Sequence, residues 1–118
     1  MEEFKKWVEQ AERDLNTAEY LFEGKRYKEA SFFSQQSAEK LLKALLIKKD
    51  KKIIRIHDLV KLGKLLNLDS NLIKDCEILS KVYIDSRYPD LGEKEYTKEE
   101  TTNDIKIAKK ILKWTKEN

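Results

Sequence analysis

Apolar residues recur along most of the chain at intervals of three and four, the spacing that places side chains on one face of an α-helix. From Glu2 to Glu23 the stripe is Phe4, Trp7, Val8, Ala11, Leu15, Ala18, Leu21 and Phe22. Gly24 follows it and is expected to supply the left-handed residue that ends many helices. A second stripe, from about Tyr27 to Lys49, is Tyr27, Ala30, Phe33, Ser37, Ala38, Leu41, Leu42 and Leu45. The small residues Ala30, Ser34, Ser37 and Ala38 on it allow a neighbouring helix to come close. Only Gly24-Lys25-Arg26 separates the two segments, so they are predicted to form an antiparallel hairpin.

Beyond Lys49 the pattern shortens. Ile53 to Ile56 is apolar around Arg55 and reads as a connector or a short extended segment. Asp58 is suited to cap a third helix, about Leu59 to Leu66. Asp69 or Ser70 is suited to start a fourth, about Asn71 to Ile84, with Leu72, Cys76, Leu79 and Tyr83 as its stripe. Pro89 fixes its own backbone and restricts Tyr88 before it, so a loop is predicted from Ser86 to Tyr96. Thr97 and Glu100 then have the spacing of a capping box. The last helix runs to about Lys116 and presents Ile105, Ala108, Ile111, Leu112 and Thr115 to the core. The predicted fold is all-α, an up-and-down antiparallel bundle of four to five helices, with residues 1–118 as a single domain.

Composition agrees with this picture. Three glycines and one proline leave few strand turns. Charged residues are 40% of the chain, yet the net charge is only +3, because the signs alternate. Such interspersion marks a solvated helical surface rather than a coat for nucleic acid. Lysine outnumbers arginine 21 to 4 among plentiful Glu and Ile, a balance that leans toward a thermophilic source. One cysteine, Cys76, rules out an internal disulfide and suits a reducing cytoplasm. No apolar run approaches a membrane span, and the charged start, MEEFKKWVEQ, is unlike a signal peptide.

The candidate chemistry is sparse. One histidine, one cysteine and no spaced carboxylates make no metal site, and the glycines at positions 24, 63 and 92 form no phosphate loop. No cofactor is implied. Cys76 falls on an apolar stripe, where a free cysteine behaves as a small hydrophobe, although a pairing with His57 is conceivable. The basic run Lys48 to Arg55 either holds phosphates or is a solvated helix end; it has no interleaved aromatic to stack a base. His57 beside Asp58 is either an acid–base group or part of a helix start. Arg87, flanked by Tyr88 and Asp90, either grips a phosphate with its planar fork or pins the loop to an acid. Gln35, Gln36, Glu39, Lys40 and Lys43 border the second stripe. Gln35 and Glu39, and Gln36 and Lys40, are four apart and can touch, and the glutamines need partners if buried.

Several of these segments occur together in a known pattern. They are Trp7 with Ala11 and Asp14-Leu15, Ala18 and Leu21; Tyr27-Lys28-Glu29-Ala30; and Ser34-Gln35-Gln36-Ser37-Ala38-Glu39-Lys40-Leu41-Leu42-Lys43-Ala44. His57-Asp58-Leu59, Ser86-Arg87-Tyr88-Pro89-Asp90, Tyr96 and a final helix with Ala108 complete it. Over essentially its whole length the chain resembles the HEPN domains (higher eukaryotes and prokaryotes nucleotide-binding), of the minimal single-domain archaeal and bacterial type. The resemblance implies a helical bundle paired as a homodimer, often encoded beside a minimal nucleotidyltransferase, with some such pairs acting as toxin and antitoxin. Many members are metal-independent ribonucleases that use an Arg followed four to six residues later by a His. Here Arg55 precedes His57 by only two positions, and no arginine stands at the family's spacing.

Two functions follow from the resemblance. One is a non-catalytic homodimeric module that binds a nucleotide or a nucleotidyltransferase partner, with Gln36, Lys40, His57 and Arg87 facing a common groove. The other is an endoribonuclease with a displaced site, in which His57 moves a proton and Arg87 stabilises charge on the RNA. Without the family's catalytic spacing, the binding module is the expected function. Apolar residues off the main stripes, namely Phe32, Ile47, Ile53, Ile54 and Ile107, also point to a homodimer if one bundle leaves them uncovered.

Overall fold

The computed structural model describes residues 2–49, 57–87 and 95–118, with the side chains of residues 84–87 excluded. Five α-helices follow in order: α1 (Glu2–Glu23), α2 (Tyr27–Lys48), α3 (Leu59–Leu65), α4 (Ser70–Arg87) and α5 (Lys98–Glu117). A helix of 22 residues is about 33 Å long, and the molecule measures 39 × 25 × 23 Å, so the long helices run the length of an all-α bundle.

The organising element is α2. It packs against all four other helices, whereas α1 meets only α2 and α5 among the described residues. Its burial therefore extends well beyond the predicted stripe. Ala30, Ser31, Ser34, Gln35, Ser37, Ala38, Glu39, Leu41, Leu42, Lys43, Ala44, Leu45, Leu46 and Ile47 are all buried. The main core gathers Leu41, Leu42, Leu45 and Leu46 with Leu59, Leu62, Leu72, Cys76, Leu79 and Ile111 from the surrounding helices. A smaller cluster, Leu15, Ala18, Ile105 and Ala108, joins α1 to α5.

The small residues of α2 do more than permit close approach. Ser37 Oγ donates to Ala11 O across the α1–α2 contact at 2.7 Å, and Ser31 Oγ lies 2.8 Å from Thr101 Oγ1 on α5. Each bond satisfies a hydroxyl that close packing has removed from water.

The helix ends follow local chemistry. Asp58 caps α3, its side chain accepting from Val60 N and Lys61 N. Asp69, rather than Ser70, accepts from Leu72 N at 2.9 Å at the start of α4. The Thr97–Glu100 capping box at α5 is present in both directions. The α1 terminus departs from expectation, because the left-handed residue is Lys25 (φ 60°) and not Gly24. Arg26 N donates to Leu21 O and Lys25 N to Phe22 O, the paired bonds of a Schellman turn, which put Lys25 at the position after the cap.

Two further expectations need correction. α4 continues to Arg87, three residues past Ile84, so Arg87 closes a helix instead of lying in a loop. The steric restriction imposed by Pro89 falls on Tyr88 alone and leaves the preceding turn free to stay helical. Three of the five apolar residues read as surplus are also taken up within one chain: Ile47 and Ile107 are buried, and the half-buried Phe32 packs against the core. Burial of α2 on nearly every side creates the space that takes them. Ile53 and Ile54 lie outside the described residues.

Candidate functional site: a polar network on the edge of α2

One run of α2 carries Gln35, Gln36, Glu39, Lys40 and Lys43 among core leucines. Gln35, Glu39 and Lys43 are buried, at 0%, 5% and 7% relative exposure. Polar groups at that depth need partners, and they supply them to one another. Gln36 Nε2 donates to Gln35 Oε1 at 2.8 Å, and Gln35 Nε2 donates to Glu39 Oε1 at 3.3 Å. Lys43 Nζ donates to Glu39 Oε2 at 3.0 Å. The whole chain of donors converges on one carboxylate.

His57 reaches the same carboxylate from outside α2. It stands just before the Asp58 cap, with Nδ1 3.1 Å from Glu39 Oε2. Its ring stacks on Tyr83 of α4 with centroids 5.5 Å apart and planes 13° from parallel. About half of the histidine side chain stays exposed. Burial raises the Glu39 pKa, but the bonds and charges of Lys43 and His57 outweigh it and hold the carboxyl below its ordinary value.

Lys40 faces the opposite bank. Its ammonium pairs with Asp14 of α1, which is buried and also accepts from Gln10 Nε2 at 3.3 Å. Lys40 further lines an open cleft of about 290 Å³ with Lys6, Trp7 and Gln10.

Of the residues singled out in the sequence, His57 and Gln36 belong to one hydrogen-bonded network, through Glu39 and Gln35. Lys40 follows Gln36 on the helix but is anchored toward α1 and makes no bond with it. Arg87 ends α4, and its side chain lies outside the described part, as do those of Asp85 and Asp90, the acids near it in sequence. The basic run is described only at Lys48 and Lys49. Lys48 lies over the Phe4 ring at 5.1 Å and donates to Asn118 O. Cys76 is fully buried, and burial with nearby acids pushes its thiol up to about 12, so it is no nucleophile. No group of residues suited to a metal ion occurs among the described residues, and no described helix is long and apolar enough to cross a membrane.

Sequence reasoning undervalued Glu39, Lys43 and Asp14. Their signal was available: Asp14 interrupts the interior of the α1 pattern, and Glu39 and Lys43 are an acid and a base four apart beside a leucine stripe. Charges so placed are buried only when paired.

Comparison with known proteins accounts for the whole chain. Residues 4–118 match the HEPN domain model. A protein of Methanocaldococcus jannaschii named "Putative toxin MJ1304" is 33% identical over 133 aligned positions, covering 96% of this chain and 86% of the relative. The crystal structure of TT1696 from Thermus thermophilus superposes with a TM-score of 0.89 at 30% identity, covering 99% and 98% of the two chains. ST0689, described as an archaeal HEPN homologue, gives 0.84 at 36% identity over 96% and 94%. An HEPN domain protein of Thermotoga maritima shares the fold, with a TM-score of 0.78 at 23% identity over 95% of each chain. The match spans all five helices and the polar edge of α2 alike, and the chain belongs to the HEPN domain family.

Proposed function

We propose that this protein is the toxin-like member of a toxin–antitoxin-type pair, a cytoplasmic HEPN homodimer that binds a nucleotide or a minimal nucleotidyltransferase partner. The proposed ligand face is the polar edge of α2 at Gln36 with His57, and Lys40, from the bank toward α1, and Arg87, at the end of α4, are proposed to complete it. The observation that carries this reading is the carboxylate of Glu39, buried in a leucine-rich core yet fully committed to Lys43, Gln35 and an outward histidine. Apolar residues of similar volume often replace a buried ion pair at no loss of stability, so a network ending at the surface suits recognition better than packing. The relative named as a toxin supports the kind of pair.

Calorimetric titration of purified protein with nucleoside monophosphates and triphosphates tests the ligand. Micromolar binding that is lost in His57→Ala and Arg87→Ala, with the fold intact, is the expected result. Absence of binding in every case, together with no nucleotidyltransferase co-purifying from the native cell, refutes it. Light scattering checks the dimer, since a species near the 14.0 kDa of one chain at high concentration contradicts it.

A second reading has its own support. Glu39 against His57 Nδ1 is the arrangement by which a carboxylate orients an imidazole for proton transfer. A metal-independent endoribonuclease using His57 and Arg87 would cleave RNA in the presence of a chelator, and His57→Ala would abolish the cleavage.

A further inference from the structure

We infer that Glu39 is a positioning residue that fixes which nitrogen of His57 meets a ligand, so that neutral His57 presents a hydrogen-bond acceptor at Nε2 and selects ligands carrying a hydroxyl or amino donor. This rests on His57 belonging to the ligand face proposed above, and it adds the chemical class that the face takes.

The inference follows from the direction of each hydrogen bond. Gln36 donates to Gln35, Gln35 donates to Glu39 Oε1, and the Lys43 ammonium can only donate to Glu39 Oε2. Glu39 is thus bonded as a carboxylate, which only accepts. Its depressed pKa agrees with that state. The remaining contact on Oε2, His57 Nδ1 at 3.1 Å, must then be an N–H donating to oxygen. A neutral imidazole holds one proton, so with Nδ1 protonated the lone pair sits on Nε2.

The ring cannot easily exchange these roles by turning over. Tyr83 stacks on one face of it, and Glu39 Oε2 holds Nδ1 on its edge. Among the described residues, the charged and titratable groups around the imidazole are Glu39 and Lys43 from α2, Tyr83 from α4 and Asp58 on its own segment. In protonated form both ring nitrogens donate, and Nε2 then favours an anion instead.

His57 is the only histidine, so nitrogen NMR of the labelled imidazole reads this site without assignment. At about pH 8, where an ordinary imidazole is neutral, the wild-type protein should show the proton on Nδ1. Glu39→Gln should shift the population toward Nε2–H, and Glu39→Asp should restore part of the original signature. Adenosine, which has hydroxyl and amino donors and no phosphate, should move the wild-type Nε2 resonance. It should bind about tenfold more weakly to Glu39→Gln, the effect of roughly one hydrogen bond. A proton on Nε2 in the wild-type protein overturns the inference, and that reading needs neither variant nor ligand. An Nδ1 proton with an Nε2 resonance unmoved by adenosine overturns the selective role. The nucleotide titration above still judges the proposed function separately.

Discussion

The carboxylate of Asp14 on α1 is buried while the side chain of Lys40 on α2, whose ammonium is bonded to it, remains about one-quarter exposed. The two partners therefore differ in what their loss leaves behind. Lys40→Met strands a carboxylate with only the Gln10 amide, whereas Asp14→Asn leaves an amine that can turn to water. Urea denaturation should show a loss of about 2–3 kcal/mol for Lys40→Met and about 1 kcal/mol for Asp14→Asn. Equal losses would mean that the carboxylate reaches solvent after all.

Acid should weaken the fold partly through Glu39. Its folded pKa lies below its ordinary value of 4.5, so the unfolded chain binds the proton more readily. The stabilisation is complete above that ordinary value and is lost as pH falls through the lower, folded one. Glu39→Gln should be less stable than wild type at neutral pH and should show a flatter acid limb. Stability measured against pH from neutrality downward checks both the sign and the window.

Leu41 is wholly buried on the helix that touches all others. Leu41→Ala should cost about 2–5 kcal/mol, the range for a core cavity. A loss under half a unit (~0.5 kcal/mol) is what an exposed position gives, and it would remove α2 from the centre of the bundle.

The turn after α1 offers a stabilising change. Lys25 holds a left-handed backbone that suits glycine, while Gly24 beside it has no positive φ. A methyl group on Gly24 would meet only Leu21 O at 3.6 Å and Tyr20 O at 3.8 Å, ordinary contacts. Lys25→Gly should raise stability by about 0.5–1 kcal/mol through relief of strain, and Gly24→Ala by about 0.5 kcal/mol through the unfolded chain. Thermal melts of the two variants should both move upward.

The elements themselves were legible because each carries its own local signal. The apolar period defined α1 and α2 to within a residue, and Asp58 and the Thr97–Glu100 pair marked two starts with side chains that bond the backbone. What periodicity cannot express is how many neighbours a helix has. Lys43 and Glu39 look like surface residues until α3 and α4 are placed beside them, and Ile47 and Ile107 look surplus until the core reaches them. The site was legible in part for the same reason. Gln36 and His57 were visible as residue types, and Gln35 with Glu39 as a pair four apart, but that His57 reaches the same carboxylate depends on how the segment before α3 packs on α2. The left-handed Lys25 was missed because glycine is the usual occupant of that position, and here it stands one residue early.

The central placement of α2 also bears on how the molecule moves. Amide exchange in a small bundle is slowest in the element with the most buried contacts, since it opens only when everything opens. Gln35, Glu39 and Lys43 therefore ride on the least yielding segment of the chain, and His57 is tethered to it from outside. A ligand of the kind proposed would find its partners already in place and spend little of its affinity on ordering them. The corollary is that occupancy at this edge registers as slower opening of the whole domain, so protection of the α2 amides serves as a reporter of binding even before a ligand is known.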